Sequence, residues 1–301
     1  MDQIYLSIIV CGRNDNYGGN FLSRVNIFIS SISILSDKYD VNTEIVFVEW
    51  NPPKDSPLLS EELSKNSALN KYKQKIRFIQ VSPEIHNGFS NRKENLPVLD
   101  YIGKNVGIRR SKGKFILICS PDIIFQDYFF IMMKENFFTD KYIYRAVRSD
   151  IHREVLLSPL TDEESYEKFL KDCHKSILAT HLDFDQELYH NSNIDNRIMY
   201  SKPFQNGCGD FLLMARDNWF RIGGCPETGF SQQFLHLDSM TLLRAMKYFE
   251  QWILPKSFTI FHQDHDRPHR VISEPSYQVN YQNAENWGLS DINVPEFLLN
   301  Y

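Results

Sequence analysis

Cysteine is scarce in this sequence, and the few cysteines show no regular spacing. There are five in 301 residues, and no two of them stand in a Cys-x-x-Cys arrangement. An odd number of cysteines without that spacing argues against a disulfide framework and against a zinc ribbon. It favours a protein from a reducing compartment.

An excess of basic residues is also missing. The chain has 33 Lys and Arg against 38 Asp and Glu, which gives a net charge of −5 and a pI of about 6.0. Domains that bind nucleic acid usually carry a strongly basic face, so this balance argues against a nucleic-acid partner. Internal repeats and low-complexity tracts are absent from the sequence as well, which argues against a repeat architecture.

The N-terminus has no long apolar run. Its first fifteen residues, MDQIYLSIIVCGRND, lack a basic region, and their apolar stretch is too short for a secretory signal or a membrane span. We therefore expect a soluble, cytoplasmic protein. Peripheral contact with the inner face of a membrane remains compatible with this expectation.

Alternating strand and helix patterns fill the first 125 residues. Short apolar runs predict strands at 4–12, 43–53, 75–82 and 115–120, and helical spacing predicts helices at 19–39, 58–70 and 95–114. This alternation is typical of an α/β fold with a central, mostly parallel sheet flanked by helices. With 42% hydrophobic residues, the length suits one large domain, or one domain with an appended lobe.

The residue composition changes in the second half of the chain. Residues 150–205 are mostly polar, and apolar residues become frequent again from residue 206. We interpret 150–205 as a helical and loop insertion into the α/β fold. Such a segment would serve as a lid or would face a second substrate.

Polar residues follow three of the predicted strands at their carboxyl ends. They occupy positions 12–15, 49–51 and 120–122. Ligands of open α/β sheets bind at this edge, where the ends of parallel strands meet. The sequence therefore predicts a binding site there.

Asp122 is the most informative of these polar residues. It is a lone carboxylate at the end of the apolar run FILICS, and an unpaired charge is costly to bury. Pro121 and Asp122 together suit a turn, which is one explanation. The other is a divalent cation, because hard cations need only one or two carboxylates when phosphates supply the remaining ligands.

The segment FTIFHQDHDRPHR, residues 258–270, offers a second ligand for such a cation. His262 ends a predicted strand, as Asp122 does, and an imidazole with a carboxylate suits Mn²⁺. A zinc site built from His262, His265 and His269 is an alternative. A solvated polar loop would explain most of the other charged residues in the segment.

Several segments resemble glycosyltransferases with the GT-A fold. NVGIRRSKGKFILICSPDIIF (105–125) resembles the segment that ends in their Asp-x-Asp motif, while LSIIVCGRND and EIVFVEWNPP resemble the first two strands of family 2 glycosyltransferases. GCGDFLLMARDNWFRIGGCPE (207–227) resembles the Gly-Gly segment of the β-1,4-galactosyltransferase-like branch. FLHLDSMTLLRA and FTIFHQDHDR follow it in the order expected of that branch. The resemblance covers residues 4–125 and 205–270.

The resemblance implies a single GT-A-like domain over residues 1–301. Residues 1–125 would form the nucleotide-binding half, and residues 206–270 would hold the donor sugar, the acceptor and the catalytic base. The insertion at 150–205 would face the acceptor or act as a lid. The implied cofactor is Mn²⁺ or Mg²⁺.

The resemblance also assigns roles to individual residues. Asp238 matches the catalytic base, with Asp210 as the second candidate, and Asp122 and His262 match the metal ligands. Gly209 and Asp210 fall where the donor sugar and the acceptor are held. The implied contacts to the donor nucleotide come from Arg13, Asn14, Glu49, Asn105, Arg109, Ser120 and Pro121.

One position departs from the family pattern. Ser120 stands where the Asp-x-Asp motif has its first aspartate, so one carboxylate remains, and metal binding would shift onto His262 and the diphosphate. Simple structural roles also remain open: Asp238 would make a good helix N-cap, and Asp210 would satisfy backbone donors in a glycine-containing turn.

The function implied is transfer of a sugar, with inversion, from a UDP-sugar to a hydroxyl of a glycan or lipid-linked glycan, as a hexosyltransferase. The composition, rich in Lys, Asn and Ile, hints at bacterial capsule or lipopolysaccharide synthesis. Two alternatives stay open. One is a sugar nucleotidyltransferase, although the loop after the first strand lacks the expected pattern; the other is a non-catalytic nucleotide- or carbohydrate-binding protein.

Overall fold

A computed structural model describes most of the chain. The described residues are 3–72, 75–89, 96–157, 160–182, 186–192, 198–199, 202–227, 237–267 and 282–299. His269, the third histidine of the zinc alternative, lies outside them.

The described elements are strands and helices in the following order. The strands are β1 (Leu6–Gly12), β2 (Thr43–Trp50), β3 (Lys75–Val81), β4 (Phe115–Ile118), β5 (Ile123–Ile124), β6 (Tyr142–Arg145), β7 (Arg148–Ile151), β8 (Ile177–His181), β9 (Ile198–Met199), β10 (Leu212–Ala215), β11 (Glu250–Ile253), β12 (Ile260–Gln263) and β13 (Glu296–Leu298). The helices are α1 (Phe21–Lys38), α2 (Leu59–Leu63), α3 (Pro83–Asn87), α4 (Asp100–Arg110), α5 (Asp127–Lys134), α6 (Glu163–Lys175), α7 (Gln186–His190), α8 (Arg216–Ile222) and α9 (Leu237–Ala245).

A nine-stranded sheet forms the centre, in the order β13-β3-β2-β1-β4-β10-β6-β11-β9. Strands β3, β2, β1 and β4 pair in parallel, and β10 is antiparallel to both β4 and β6. Strand β11 is parallel to β6, so β6 and β11 run in the direction of β4. Six of the nine strands therefore share one direction, which confirms the predicted α/β fold with a mostly parallel central sheet.

Helices cover both faces of this sheet, which explains why the sequence of strand β1 is apolar at almost every position. Leu6, Ile8 and Val10 pack into the core on the side of α1, whereas Ile9 and Cys11 pack into the core on the side of α4. Successive side chains of a strand point to opposite faces. A strand covered on both faces is therefore apolar at almost every position.

A second sheet of four strands, in the order β5-β12-β7-β8, stands beside the first. Strand β12 is antiparallel to β5 and parallel to β7, and β7 is antiparallel to β8. The pairing of β12 with β5 brings His262 next to Ile123, the residue after Asp122. The sequence did not predict this sheet, because β5 has only two residues and its pairing is set by β12 far along the chain.

Two predicted elements end differently from expectation. The strand predicted at 43–53 ends at Trp50, because Asn51 has a positive φ of 49° and two prolines follow. The helix predicted at 58–70 is divided into α2 and a 3₁₀ turn at Ser67–Lys71.

The segment that the sequence marks as an insertion contributes to both the second sheet and the main core. Strand β8 lies at the edge of the second sheet. Tyr166, Phe169 and Cys173 of α6 are buried in the same core as α1. Its interpretation as an acceptor-facing segment or lid stays a prediction. Within the described part of the chain, no helix is both long and apolar enough to span a bilayer.

Candidate active site

A cavity of about 490 Å³ opens at the carboxyl ends of β1 and β4. It lies where the sequence predicts a ligand site. The sequence-predicted residues on its wall are Arg13, Ser120, Pro121, Asp122, Gly209, Asp210, Asp238 and His262. The chain thus brings together eight of the candidates from distant segments.

Asp122 and His262 face each other in this cavity. Oδ1 of Asp122 lies 3.8 Å from Nε2 of His262, and both side chains are buried. Oδ1 has no hydrogen-bond partner among the described residues. Nε2 of His265 lies 3.3 Å from the other carboxylate oxygen, and the three side chains each offer a ligand atom within 4.8 Å of the others.

This arrangement fits a divalent cation. A carboxylate oxygen without a partner that faces a buried imidazole nitrogen supplies the donor types that Mn²⁺ accepts. Asp122 and His262 are the two ligands that the sequence proposed, and the structure adds His265. Of the three histidines considered for zinc, His262 and His265 are thus adjacent to the same carboxylate.

Arg24 pairs with the same carboxylate and was not predicted. Its Nη1 lies 2.6 Å from Oδ2 of Asp122, and its side chain is 1% exposed. Arg24 also donates to the carbonyl oxygens of Tyr17 and Gly19, so it ties the loop after β1 to Asp122. Burial alone would raise the pKa of Asp122, but His262, His265 and Arg24 outweigh it and hold that pKa well below its usual range. Asp122 is therefore ionised at neutral pH.

Asp210 is held by two partners. Nη1 of Arg148 lies 2.6 Å from its Oδ2, and Ser120 donates its hydroxyl to Oδ1 at 2.7 Å. Burial would raise the pKa of Asp210, but Arg148, His262 and Ser120 together lower it. An ion-paired carboxylate with a lowered pKa is a weak base. The serine that replaces the first aspartate of the family motif therefore holds Asp210 in place.

Asp238 differs from the other carboxylates of the cavity. Its Oδ2 accepts the Gly209 N–H at 3.1 Å, and its Oδ1 accepts the Ser239 N–H at 2.7 Å. Asp238 is the second residue of α9, not the residue before this helix, and its bond to the adjacent Ser239 N–H is not an N-cap bond. No cation within the described residues forms an ion pair with Asp238, and burial raises its pKa. Among the cavity's acids, this is the one suited to accept a proton.

Asn14 and Glu49 lie away from the cavity wall. Asn14 is half-buried and donates to the carbonyl oxygen of Pro57 at 2.9 Å. Glu49 is fully buried and accepts the Leu59 N–H at 2.6 Å, at the start of α2. Burial raises the pKa of Glu49 to about 7. The structure therefore gives Glu49 a structural partner at α2, and its predicted contact with a nucleotide stays a prediction.

Asn105 and Arg109 also lie outside the cavity, because α4 directs them to another part of the chain. Asn105 donates to the Cys225 carbonyl oxygen at 2.8 Å and accepts the Cys225 N–H at 2.7 Å. Arg109 donates to the carbonyl oxygens of Trp287 and Glu285 and lies over the Trp287 ring. The structure does not bring these two predicted nucleotide contacts to the site.

Sequence reasoning missed several charged residues that line the cavity. They are Asp15, Arg24, Asp100, Lys104, Arg148 and Arg267. Two of them could have been predicted from patterns in the sequence. Arg24 interrupts the apolar face of a predicted helix, and Arg148 alternates with Asp150 in a short strand, which places both on one face.

Comparisons with known proteins give matches among solved structures alone. No protein-family model matches the chain, and none of the curated proteins does. Among solved structures, the chain is similar to Staphylococcus aureus TarS 1–349, with a TM-score of 0.48, 9% identity, and coverage of 86% of this chain and 60% of that one. A second crystal structure of S. aureus TarS gives a TM-score of 0.49 and 9% identity over 86% of this chain and 37% of that one. This chain therefore spans only part of the proteins it resembles, and at these values we draw no conclusion about function from the similarity.

Proposed function

We propose that the protein is a glycosyltransferase that moves a sugar from a nucleotide-sugar donor, a UDP-sugar, to a hydroxyl of a glycan or lipid-linked glycan acceptor. One observation carries the proposal. A single cavity contains an ionised carboxylate facing an imidazole, Asp122 and His262, together with a buried carboxylate of raised pKa, Asp238. Transfer of a sugar from a diphosphate needs these two functions at one site.

The first function is to stabilise the leaving diphosphate, which gains negative charge as the glycosidic bond breaks. A Mn²⁺ or Mg²⁺ ion held by Asp122, His262 and His265 would supply Lewis-acid stabilisation of that charge. The chain adds cations of its own. Arg148 and Arg267 line the cavity, and no described residue forms an ion pair with Arg267. Arg267 is therefore available to contact a phosphate.

The second function is to take the proton of the acceptor hydroxyl, which is a weak nucleophile. Asp238 suits this role because burial raises its pKa, which makes its carboxylate a stronger base than that of an ordinary aspartate. Hydrogen bonds from Gly209 and Ser239 fix its orientation. One base acting on the acceptor across the sugar gives direct displacement, and hence inversion at the anomeric carbon.

Asp210 is better suited to hold the donor sugar than to act as the base. Its pairing with Arg148 and Ser120 lowers its basicity but leaves a fixed, charged acceptor in the cavity wall. Sugar hydroxyls are good donors to such a carboxylate. We therefore assign Asp238 as the base and place Asp210 with Gly209 at the donor sugar.

The wider role that we propose is synthesis of a bacterial surface polysaccharide, capsule or lipopolysaccharide, by a cytoplasmic enzyme that contacts the inner face of the membrane. Its support is the Lys-, Asn- and Ile-rich composition and the sequence resemblance described above. In this proposal the segment 150–205 reads the acceptor.

The deciding experiment is a thermal-shift screen of nucleotide sugars with Mn²⁺, followed by an assay for UDP release. A donor that binds the native state raises the melting temperature, and the rise grows with the logarithm of the donor concentration above the dissociation constant. We expect one UDP-sugar to stabilise the protein and to be hydrolysed slowly without acceptor. Pyrophosphate release from a sugar phosphate and a nucleoside triphosphate would instead identify a nucleotidyltransferase. Donor binding without any turnover would identify a non-catalytic binding protein.

A further inference from the structure

Asp150 lies directly beside His262 in the second sheet. The two residues are paired in the register of the parallel strands β7 and β12, so their side chains lie on the same face. Nδ1 of His262 is 3.0 Å from Oδ1 of Asp150. Both atoms are buried, and neither makes an aligned hydrogen bond within the described residues. The 3.0 Å contact is therefore an ion-pair contact, which a small rotation of the ring would turn into a hydrogen bond.

Neighbours from β7 and β8 fix the carboxylate of Asp150 in turn. Nε2 of His181 lies 2.7 Å from Oδ2 of Asp150, and Nε of Arg148 lies 3.2 Å from Oδ1. His181 is paired with Arg148 across the antiparallel strands. Asp150 is therefore held on a rigid part of the sheet, with one oxygen directed at His262.

This geometry determines which nitrogen of His262 is available to a cation. The two nitrogens of an imidazole are distinct, and a hydrogen bond at one of them sets the role of the other. A proton on Nδ1, donated to Asp150, leaves the lone pair of Nε2 to bind a cation. Nε2 is the nitrogen that faces Oδ1 of Asp122, at 3.8 Å.

We propose that Asp150 is a positioning residue of the cation site: it keeps the proton on Nδ1 of His262 and fixes the ring so that Nε2 points to Asp122. This inference rests on the proposed function and deepens its metal site. Carboxylates that orient a metal-binding histidine typically contribute 10- to 100-fold in metal affinity. Because His181 of β8 contacts Asp150, a residue of the segment 150–205 would also support the cation site.

The test is Mn²⁺ binding to the whole chain, measured by the loss of the free-ion EPR signal during titration. Two substitutions separate charge from hydrogen bonding. Asp150→Asn and Asp150→Ala both remove the negative charge, but only asparagine keeps an oxygen that can accept the Nδ1 proton. We expect Asp150→Ala to bind Mn²⁺ about 10- to 100-fold more weakly than the wild type, and Asp150→Asn to lie closer to the wild type than to Asp150→Ala.

A surface control and a folding measurement accompany the titration. Asp172→Ala changes the net charge equally at a half-exposed residue of α6 that contacts Lys175 at 3.6 Å, and this variant should bind Mn²⁺ like the wild type. Circular dichroism and thermal melts show whether each variant is folded at the titration temperature. If the alanine variant does not fold, Asp150→Ser takes its place, because its hydroxyl is one bond too short to reach Nδ1. It should bind Mn²⁺ about 10- to 100-fold more weakly than the wild type, whereas the asparagine variant should not.

Three results would overturn the inference in distinguishable ways. Equal Mn²⁺ affinity in the wild type and in both Asp150 variants would remove Asp150 from the site and leave the proposed function intact. An asparagine variant as weak as the alanine variant would show that charge, not the hydrogen bond, is responsible. If the wild type itself binds no Mn²⁺, the metal site of the proposed function fails together with this inference.

Discussion

The guanidinium of Arg24 lies 2.6 Å from the carboxylate of Asp122, and both side chains are buried. The Asp-x-Asp motif of the family that this chain resembles has two carboxylates, whereas this site has one carboxylate with a permanent positive charge beside it. The pair therefore keeps Asp122 ionised in the absence of any added ion. It also makes Arg24 the structural support of the cavity wall.

Replacing Arg24 with methionine should destabilise the protein strongly. Removing one partner of a buried ion pair leaves the other charge buried and uncompensated, which typically costs about 3–5 kcal/mol. We expect Arg24→Met to lower the free energy of unfolding by that amount, measured by urea denaturation. As a control, Lys65→Met breaks an exposed pair with Glu62 and should cost less than about 1 kcal/mol.

The double variant tests the cause of that loss. Adding Asp122→Asn to Arg24→Met removes the uncompensated charge, so it should restore part of the lost stability through a coupling that additive effects would not give. A double variant whose loss equals the sum of the two single losses would contradict this account of the pair.

Asp238→Asn should lower turnover by about 10²- to 10⁴-fold, because an amide cannot take the proton of the acceptor. The N–H groups of Gly209 and Ser239 bond to different oxygens of Asp238, and asparagine keeps only one of these acceptors. The melting temperature should therefore fall, whereas donor binding should change little. The measurements are steady-state rates with the identified donor and calorimetric titration of UDP. Near-normal turnover in this variant would reduce Asp238 to a structural residue of α9.

His262→Ala should weaken UDP binding by about tenfold, or ~1.4 kcal/mol, since it removes one proposed ligand of the cation. EDTA should weaken UDP binding by the wild type similarly and should have little further effect on the variant. His152→Ala replaces an exposed histidine that lies outside the cavity and should match the wild type. UDP affinity that is unchanged by both EDTA and His262→Ala would remove the metal from the proposed mechanism.

Glu49 should make stability depend on pH. Its pKa is raised from 4.5 to about 7 by burial, so the folded state binds a proton more tightly than the unfolded state does. The stabilising effect of that proton is fully present below about pH 4.5 and is lost as the pH rises to about 7, with a slope of at most about 1.4 kcal/mol per pH unit. Glu49→Gln, which is neutral at every pH, should lack this component and exceed the wild type in stability at pH 8.

Urea denaturation from pH 4.5 to pH 8 measures the effect. Glu135→Gln, at an exposed residue, is the matched control and should keep the pH profile of the wild type. Parallel profiles for wild type and Glu49→Gln would contradict the pKa shift. UDP titration of the same variant tests the predicted nucleotide contact, because a contact with the donor would weaken binding and a purely structural role at α2 would not.

The fold, and the positions of Asp122 and His262 near strand ends, could be predicted from the sequence because they depend on local patterns. That the two residues bind a cation stays a prediction. Strands β1 to β4 are short apolar runs separated by helices, and polar residues such as Asp122 follow where those runs end. His262 was found by the same rule, since it also ends an apolar strand. Local pattern and strand polarity were sufficient for these features.

The rest of the site depends on contacts between segments that are far apart in the sequence. Arg24 meets Asp122 across 98 positions, and Arg148 meets Asp210 across 62. Arg109 faces away from the cavity because it donates a hydrogen bond to the carbonyl oxygen of Trp287, which lies 178 positions further along the chain. No periodicity within α4 indicates this partner. The diphosphate contact that the family resemblance implies for Arg109 stays a prediction.

The register of β12 against β5 and β7 limits the insertions and deletions that this protein can tolerate. Because side chains alternate along a strand, a shift of β12 by one residue would turn His262 to the opposite face and bring Phe261 or Gln263 beside Asp150. An insertion or deletion of a single residue between β11 and β12 would thus remove the histidine even if every residue of the cavity were retained. The number of residues between β11 and β12 should therefore vary less than the identity of those residues.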